Sequence, residues 1–127
     1  MILFFDRNMG TRIPTALKAL NLPDTIYYHQ ELFPHDAPDD TWLEAVGQQG
    51  WIVLSQDYKF HRRPNELVAL RQFSIGVFCR WGANASAWEV VRVFAAAYER
   101  IVAAAATPRP FVFRVTRDAR LLRVDLR

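Results

Sequence analysis

Two aspartates in this sequence each follow a short run of apolar residues, and both positions are suited to chemistry. Asp6 comes directly after Ile2 to Phe5, and Asp57 ends the stretch WIVLSQD at residues 51–57. If the two runs are neighbouring strands, the Cα atoms of the two aspartates lie about 5 Å apart. Carboxylates that close disfavour each other's ionisation unless a cation lies between them. Because Mg²⁺ prefers carboxylate oxygen and water as ligands, the pair predicts a metal site.

A third acidic ligand is available just before a predicted helix, where Asp39 and Asp40 precede the stretch TWLEAVGQQG. Each acid also has an ordinary structural explanation, since Asp39 or Asp40 could be a helix N-cap and Asp57 could begin the turn QDYK. Thr41 and Glu44 have the Thr-x-x-Glu spacing of a capping box, which would already serve the helix start. For the acids as a group we therefore favour the metal hypothesis.

The segment that follows Asp57 is basic and aromatic, reading YKFHRR at residues 58–63. Its cations lie near the predicted start of the next helix, where positive charge opposes the helix macrodipole. This placement indicates an external anion: Lys59, Arg62 and Arg63 could hold phosphates while Tyr58 or Phe60 stacks on an unpaired base. The alternative is that the charges are a solvated helix start and that the phenylalanine belongs to the core.

The end of the chain is also basic. From residue 109 onward there are six arginines and two aspartates, a net side-chain charge of +4, whereas the whole chain carries +3. Concentrated positive charge is typical of a surface that binds a polyanion. Arginines that alternate along a strand can equally be its solvated face, so both interpretations stay open.

Composition restricts the class of protein. With 127 residues, 51% of them apolar and 23% charged, the chain is predicted to be a single domain spanning residues 1–127. Cys79 is the only cysteine, which excludes an intramolecular disulfide, a thiolate zinc cage and a Cys-x-x-Cys pair. No apolar run approaches a membrane span, and residues 1–5 lack the features of a secretory signal. We expect no membrane association and a cytoplasmic protein.

The predicted elements alternate between strands and helices. Strands are predicted at 2–5, 25–29, 51–55 and 74–79, helices at 10–22, 41–50, 64–73 and from Ser86 to about 106, and an edge hairpin at 111–126. Residues 30–40 are rich in Pro and Asp, which predicts irregular structure. Gly50 and Pro64 are suited to ending one helix and starting the next. This order predicts an α/β fold with a mainly parallel sheet covered by helices on both faces.

The longest predicted helix begins at Ser86, which forms a Ser-x-x-Glu capping box with Glu89. Its apolar stripe is predicted to consist of Trp88, Val91, Phe94, Tyr98 and Ile101. The alanines of this helix could pack on its own sheet or on a second copy of the chain, which leaves a homodimer open. In a parallel sheet, sites form at the carboxyl ends of the strands, and that is where Asp6 and Asp57 are predicted to lie.

The stretches FFDRN, PDDTW, GWIVLSQD and HRRPNE, in this order and spacing, resemble the PIN-like ribonuclease domains of the VapC type. The likeness spans nearly the whole chain and is sharpest up to about Cys79. It implies a three-layer, Rossmann-like PIN fold and a Mg²⁺- or Mn²⁺-dependent endoribonuclease. The resemblance also implies a type II toxin that is neutralised by a cognate antitoxin protein.

The resemblance places the catalytic, metal-binding acids at Asp6, Asp39 and Asp57. Asp39 matches better than Asp40 because it follows Pro38 and keeps the spacing to the tryptophan. The residues assigned to the phosphates of the RNA substrate are Asn8, Ser55, Lys59, Arg62 and Arg63. The implied mechanism is metal-assisted hydrolysis, in which the cation activates a water and stabilises charge on the phosphate.

One departure from the family pattern concerns the fourth acid. Many PIN domains have another acid soon after the one at Asp57, whereas here Lys59 and Arg62 occupy that neighbourhood and Glu66 comes later. A second metal is therefore not implied. The main alternative function is a catalytically silent PIN-like module that binds RNA or protein. A phosphoacceptor receiver domain is a third, but it expects a pair of acids near the first strand, and FFDRN supplies one.

Overall fold

A computed structural model describes residues 1–57, 63–79 and 84–126, and every structural statement below concerns these residues. Its centre is a six-stranded sheet in the order β2-β1-β3-β4-β5-β6, in which the first five strands are parallel and β6 is antiparallel to β5. The strands are β1 (Ile2–Phe5), β2 (Thr25–Tyr28), β3 (Ile52–Ser55), β4 (Gly76–Cys79), β5 (Phe111–Val115) and β6 (Leu121–Arg123).

Helices cover both faces of this sheet. They are α1 (Arg12–Ala19), α2 (His29–Leu32), α3 (Asp39–Gln49), α4 (Pro64–Gln72) and α5 (Ala87–Ala104), and a 3₁₀ helix spans Arg7–Met9. Buried residues of α1 and α5 pack on one side of the sheet, which we call the α1–α5 face. Buried residues of α3 and α4 pack on the other side, the α3–α4 face. The predicted α/β fold of three layers, with its edge hairpin, is confirmed.

The central strands are apolar on both faces because helices cover both of them. Along β1, for example, Leu3 and Phe5 pack on the α1–α5 face and Phe4 packs on the α3–α4 face. All three side chains are fully buried. Strand β3 repeats this alternation, with Val53 on the α3–α4 face. The next residue with the same orientation as Phe4 is Asp6, and Ser55 follows Val53 in the same way, so both polar side chains belong to the α3–α4 face.

The predicted start of α3 is wrong. The helix begins at Asp39, with Pro38 as its N-cap, so Thr41 and Glu44 do not form the expected capping box. Proline fixes φ near −65° and ends the extended segment one turn earlier than the sequence pattern indicates. Asp39 and Asp40 therefore occupy the first helical turn, where the macrodipole favours negative charge. At its other end α3 is closed as predicted by Gly50, which has a left-handed φ of 71°.

The segment predicted to be irregular also contains a short helix, since α2 occupies residues His29–Leu32. Its first turn is stabilised by Glu31, whose side chain accepts a hydrogen bond from the backbone N–H of Tyr28 at 3.0 Å. That acid also forms an ion pair with Lys18 of α1 at 2.7 Å. The hydrogen bond to Tyr28 is local, whereas the ion pair comes from a neighbouring helix and could not be inferred from the local composition.

Helix α5 starts as predicted, because the Ser86 hydroxyl oxygen accepts the backbone N–H of Glu89 at 3.2 Å. The predicted apolar stripe is partly wrong. Phe94 and Ile101 are buried, but the side chain of Trp88 is 73% exposed. The buried stripe is instead Val90, Val93, Phe94, Ala97 and Ile101, which keeps the helical spacing while facing a slightly different direction. Among the described helices, none combines the length and hydropathy that crossing a membrane requires.

Candidate active site

The first and third strands end side by side. Strand β1 pairs with β3 so that Phe5 is opposite Leu54, and the backbone N–H of Asp6 donates to the carbonyl of Leu54 at 2.9 Å. Asp6 and Ser55 therefore lie next to each other at the carboxyl edge of the sheet. Asp57 follows two residues later. The condition on which the predicted acid pair depended, that the two strands are neighbours, is met, and the pairing brings their acids to the same edge.

Asp6 is a buried carboxylate, only 6% exposed. One of its oxygens accepts the backbone N–H of Arg7 at 2.6 Å, and the other accepts the hydroxyl of Ser55 at 3.2 Å. Burial raises the pKa of Asp6 to about 6, and the negative charge of Asp39 adds to this rise. The hydrogen bonds oppose it. A positive charge placed near this carboxylate would favour its ionised form.

Ser55 and Asn8 hold the backbone between the acids. The hydroxyl oxygen of Ser55 accepts the backbone N–H of Asp57 at 3.1 Å and the side-chain amide N–H of Asn8 at 3.0 Å. The amide oxygen of Asn8 accepts the backbone N–H of Gln56 at 3.0 Å. Ser55 is fully buried, and its hydroxyl bonds to both Asp6 and the backbone of Asp57. Asn8 is exposed, and direct contact of either side chain with RNA stays a prediction.

Asp39 reaches the site from the N-terminus of α3. One of its carboxylate oxygens accepts both the guanidinium of Arg7 and the indole N–H of Trp42, the latter at 3.0 Å. Arg7 also donates to the backbone carbonyl of His35 at 2.6 Å, which ties the segment before α3 to the end of β1. Asp40 is exposed and takes part in none of these hydrogen bonds. The two adjacent aspartates thus differ in their surroundings, and the assignment of Asp39 to the site stays a prediction.

Glu66 is the acid that sequence reasoning did not include. It lies in the first turn of α4, is 7% exposed, and both of its carboxylate oxygens are 3.4 Å from the guanidinium of Arg63. Burial raises the pKa of Glu66 to about 7, and the charges of Asp57 and Asp39 add to the rise, whereas Arg63 lowers it. Three acids from three elements are therefore within electrostatic reach of one another. Glu66 could have been identified from the sequence by its position in the first turn of the predicted helix that follows Asp57.

Arg63 is engaged with the acids of the site. Its guanidinium donates to Asp57, and the resulting hydrogen bond raises the pKa of Arg63. In this arrangement the nearby carboxylates satisfy the charge of Arg63, and its contact with an RNA phosphate stays a prediction. The other predicted phosphate ligands, Lys59 and Arg62, fall in residues 58–62, outside the part of the chain that the structure describes.

The donor chemistry of the cluster fits a hard divalent cation, since its members are carboxylate oxygens. Burial of Asp6 and Glu66 also makes an added positive charge favourable. In the structure, however, Asp39 forms an ion pair with Arg7, and Asp57 forms one with Arg63. Within residues 1–57, 63–79 and 84–126, no three His, Cys, Asp or Glu side chains are arranged to hold a metal ion. A cation at Asp6, Asp39 and Asp57 would have to compete with Arg7 and Arg63.

A cleft of about 870 Å³ opens between α3 and α4 beside the acids. Asp39, Arg63 and Glu66 line its inner end, and the exposed carboxylates of Asp40 and Glu44 line its rim. The cleft includes Asp39 and Glu66 among its lining residues, whereas Asp6 and Asp57 do not line it. This volume lies within the range of small-molecule sites and suits a ligand such as a nucleotide.

A cluster of buried aromatic side chains packs beneath Asp39 on the α3–α4 face. Trp42, which is 1% exposed, stacks on Phe4 with ring centroids 5.5 Å apart. His29 is fully buried beside them, within 6.0 Å of Trp42 and 5.6 Å of Phe33. Among the described residues neither ring nitrogen of His29 has a hydrogen-bond partner, and burial lowers its pKa. His29 is therefore a neutral core residue in this structure.

The comparison with known protein families agrees with this geometry. A sequence model of the PIN like domain family matches residues 1–82, which is more than half of the chain and contains every acid described above. The chain belongs to this family. PIN domains are generally nucleases that use divalent metals, so the carboxyl edge of the sheet is the place where nuclease chemistry is expected. No curated protein and no solved structure matches the chain.

The raised pKa of Glu66 predicts a specific pH dependence of stability without metal. A carboxyl group whose folded pKa lies above its unfolded value stabilises the fold below the unfolded pKa, and this contribution disappears as pH rises through the folded value. For Glu66 the window runs from 4.5 to about 7. In EDTA we expect wild type to lose on the order of 2 to 3 kcal/mol of unfolding free energy from pH 4.5 to 8 relative to Glu66→Gln.

Urea unfolding of both proteins across this pH range measures the difference. Comparison with Glu66→Gln cancels the opposite contribution of His29, whose lowered pKa makes the fold lose stability as pH falls. Glu44→Gln is the matched control because its carboxylate is exposed on the neighbouring helix, and its pH dependence should equal that of wild type. Parallel curves for wild type and Glu66→Gln would show that Glu66 is not desolvated.

Proposed function

We propose that this chain is a divalent-metal-dependent endoribonuclease of the VapC type. The observation that carries the proposal is the convergence of four acids from separate elements at the carboxyl edge of a parallel sheet in a PIN-family chain. Asp6 and Asp57 follow β1 and β3, Asp39 begins α3, and Glu66 lies in the first turn of α4. We propose Asp6, Asp39 and Asp57 as the catalytic ligands of Mg²⁺ or Mn²⁺.

When bound, the cation would supply an activated water and neutralise charge that develops on the phosphate. The other side chains of the site would hold and orient the acids. Ser55 and Asn8 fix the backbone that carries Asp57, and Trp42 fixes Asp39. Asn8 is exposed and we propose that it also contacts the RNA. Lys59 and Arg62 are proposed as phosphate ligands on the sequence resemblance alone.

Arg7 and Arg63 suggest how the site is arranged before a metal binds. Each neutralises one acid, Asp39 or Asp57, which reduces the repulsion among the carboxylates. With a cation at these acids, Arg63 would no longer be needed to neutralise Asp57, whereas Arg7 would keep its hydrogen bond to the carbonyl of His35. Arg63 would then be available to a phosphate of RNA, because a guanidinium binds phosphate oxygens in the same forked geometry as carboxylate.

The test is incubation of the purified protein with single-stranded RNA in Mn²⁺, in Mg²⁺ and in EDTA. We expect internal cleavage with divalent ions and none in EDTA. Uncleaved RNA under all three conditions would contradict the enzymatic proposal. Single-stranded DNA of the same sequence is the control for specificity, since contacts to the 2′-hydroxyl distinguish RNA.

A catalytically silent PIN-like module is the second candidate function. The observation that favours it is that arginines occupy two of the acids while no three acids in the described part are arranged to hold a metal. This candidate binds RNA or protein without turnover. Binding of RNA in EDTA together with no cleavage in Mn²⁺ or Mg²⁺ would support it.

We further propose that the chain acts in the cytoplasm as the toxin of a type II toxin–antitoxin pair, with a cognate antitoxin protein as partner. This part of the proposal rests on the sequence resemblance. Expression of the chain should arrest bacterial growth, and expression of the Asp6→Asn variant should not. Normal growth with an active nuclease would separate the toxin role from the enzymatic one.

A further inference from the structure

We propose that the substrate RNA extends from the acids along the carboxyl edge of the sheet to the hairpin formed by β5 and β6, where Arg114 binds its phosphate chain. This inference rests on the proposed function, because it assumes that the acids bind RNA. It assigns a role to the basic C-terminal segment, for which the sequence left two interpretations open. The strand pairings and the orientation of successive side chains carry the argument.

Arg114 lies in the same row of the sheet as the acids. Asp6 is beside Ser55, Ser55 is paired with Cys79, and Cys79 is paired with Arg114. Neighbouring strands are about 4.8 Å apart, so the Cα atom of Arg114 is about 10 Å from that of Ser55 and about 14 Å from that of Asp6. A stacked single strand advances about 3.4 Å per nucleotide, so roughly four nucleotides span this distance.

Arg114 also lies on the same face of the sheet as the acids. Along β5, Phe111, Phe113 and Val115 pack on the α1–α5 face, whereas Val112 packs on the α3–α4 face. Because side chains alternate along a strand, Arg114 belongs to the α3–α4 face. Asp6 and Ser55 belong to it by the same alternation. A polyanion that contacts both ends of the row would therefore stay on one side of the sheet.

The charge of Arg114 is available for a ligand. Its side chain is exposed and makes no ion pair or hydrogen bond with any other residue in the described part of the chain. The turn that follows β5 adds the exposed arginines Arg117 and Arg120 just beyond the carboxyl end of the strand, although Arg120 pairs with Asp118 at 3.0 Å. A phosphate chain is the partner whose charge complements this strip, and an RNA strand anchored at the acids is the nearest such chain.

Between the two ends of the row, Cys79 is buried in the α3–α4 cluster. We place the RNA beside the N-terminal end of α4, which begins with Pro64 and whose N-cap side chain makes no capping hydrogen bond. The positive end of the helix dipole favours an anion at this point. The path thus connects Asp6, the start of α4 and Arg114.

The experiment measures binding of a fluorescently labelled 12-nucleotide single-stranded RNA in EDTA, where metal-dependent cleavage is blocked, over a range of salt concentrations. We expect Arg114→Ala to weaken binding about three- to tenfold and to reduce the slope of log K against log salt by about 0.7, the value for one lost phosphate contact in a single strand. Arg114→Lys should retain most of the slope because it keeps a positive charge at this position.

Arg123→Ala is the matched control. Arg123 is exposed on the same hairpin, but it is paired with Phe113 and therefore lies on the opposite face. Its replacement removes the same charge from the protein, so any difference between the two variants reports a local contact. Equal effects of Arg114→Ala and Arg123→Ala, or no effect of either, would overturn the RNA path.

Failure of this inference can be distinguished from failure of the proposed function. If the same RNA is cleaved in Mn²⁺ and the two variants bind it equally, the RNA path to Arg114 is wrong and the nuclease proposal stands. A specific effect of Arg114→Ala combined with no cleavage would retain the path and support the silent module. No binding by wild type in EDTA together with no cleavage in Mn²⁺ would contradict both.

Discussion

Asp6→Asn is expected to abolish metal-dependent RNA cleavage while leaving the metal-free fold as stable as wild type or more stable. The catalytic loss should reach at least about a hundredfold, which corresponds to about 2.7 kcal/mol of transition-state stabilisation. The reason is that an amide cannot supply the negative charge that a divalent cation needs at this position. Asp6 is the most buried acid of the cluster, so solvent cannot replace it as a ligand.

The stability half of this prediction follows from the raised pKa of Asp6, which is about 6. At pH 8 the folded protein holds an ionised carboxylate that burial disfavours, and this cost disappears when the group is neutral. Asparagine has the same shape and can still accept a hydrogen bond from Arg7 or Ser55. In EDTA at pH 8 we expect the unfolding free energy of Asp6→Asn to be unchanged or higher by up to about 2 kcal/mol.

Thermal melts with and without Mn²⁺, together with the cleavage assay, test both halves. Divalent ions should stabilise wild type by mass action and should stabilise Asp6→Asn much less. The control is Asp36→Asn, which removes an exposed aspartate that makes no hydrogen bond or ion pair with other described residues. That variant should equal wild type in every assay. A large loss of apo stability in Asp6→Asn, with no effect of Mn²⁺ on either protein, would make Asp6 a structural residue.

The second large effect concerns Trp42, which joins the core to the candidate site. Its side chain is 1% exposed and stacks on Phe4, while its indole N–H donates to Asp39 at 3.0 Å. We expect Trp42→Ala to lower the unfolding free energy by about 3 to 5 kcal/mol, because it removes a large buried side chain and leaves a cavity. Urea unfolding measures this loss.

Trp42→Phe separates the two roles of this tryptophan. Phenylalanine keeps most of the buried aromatic area, so the loss of stability should be only about 1 to 2 kcal/mol. It cannot donate the hydrogen bond to Asp39, and we expect cleavage to fall about tenfold because the carboxylate is no longer held in place. Trp51→Phe is the matched control, since Trp51 stacks on Tyr27 in the same aromatic cluster and makes no hydrogen bond to the acids described here. Equal activity of the two Phe variants would show that the hydrogen bond from Trp42 to Asp39 does not contribute to cleavage.

Much of the architecture was predictable because local patterns determine local structure. Continuous apolar runs such as Ile2–Phe5 are typical of strands buried on both faces, and alternation with helices indicates a parallel sheet. Asp6 and Asp57 were recognisable as candidate ligands because they come where such runs end. Gly50 was recognisable as a helix end because glycine readily adopts the left-handed conformation that closes a helix.

Other features depend on contacts between elements that are distant in the sequence. Glu66 joins the acids only because α4 begins at the same sheet edge as β3 ends, and Ser55 is buried only because elements distant in the sequence cover it. The pairing of Arg7 with Asp39 joins residues that are 32 positions apart. No local pattern encodes such a distance, because strand order and register determine which side chains meet. The sequence shows that the end of the chain is basic. Only the register of the sheet places Arg114 in the same row and on the same face as the acids.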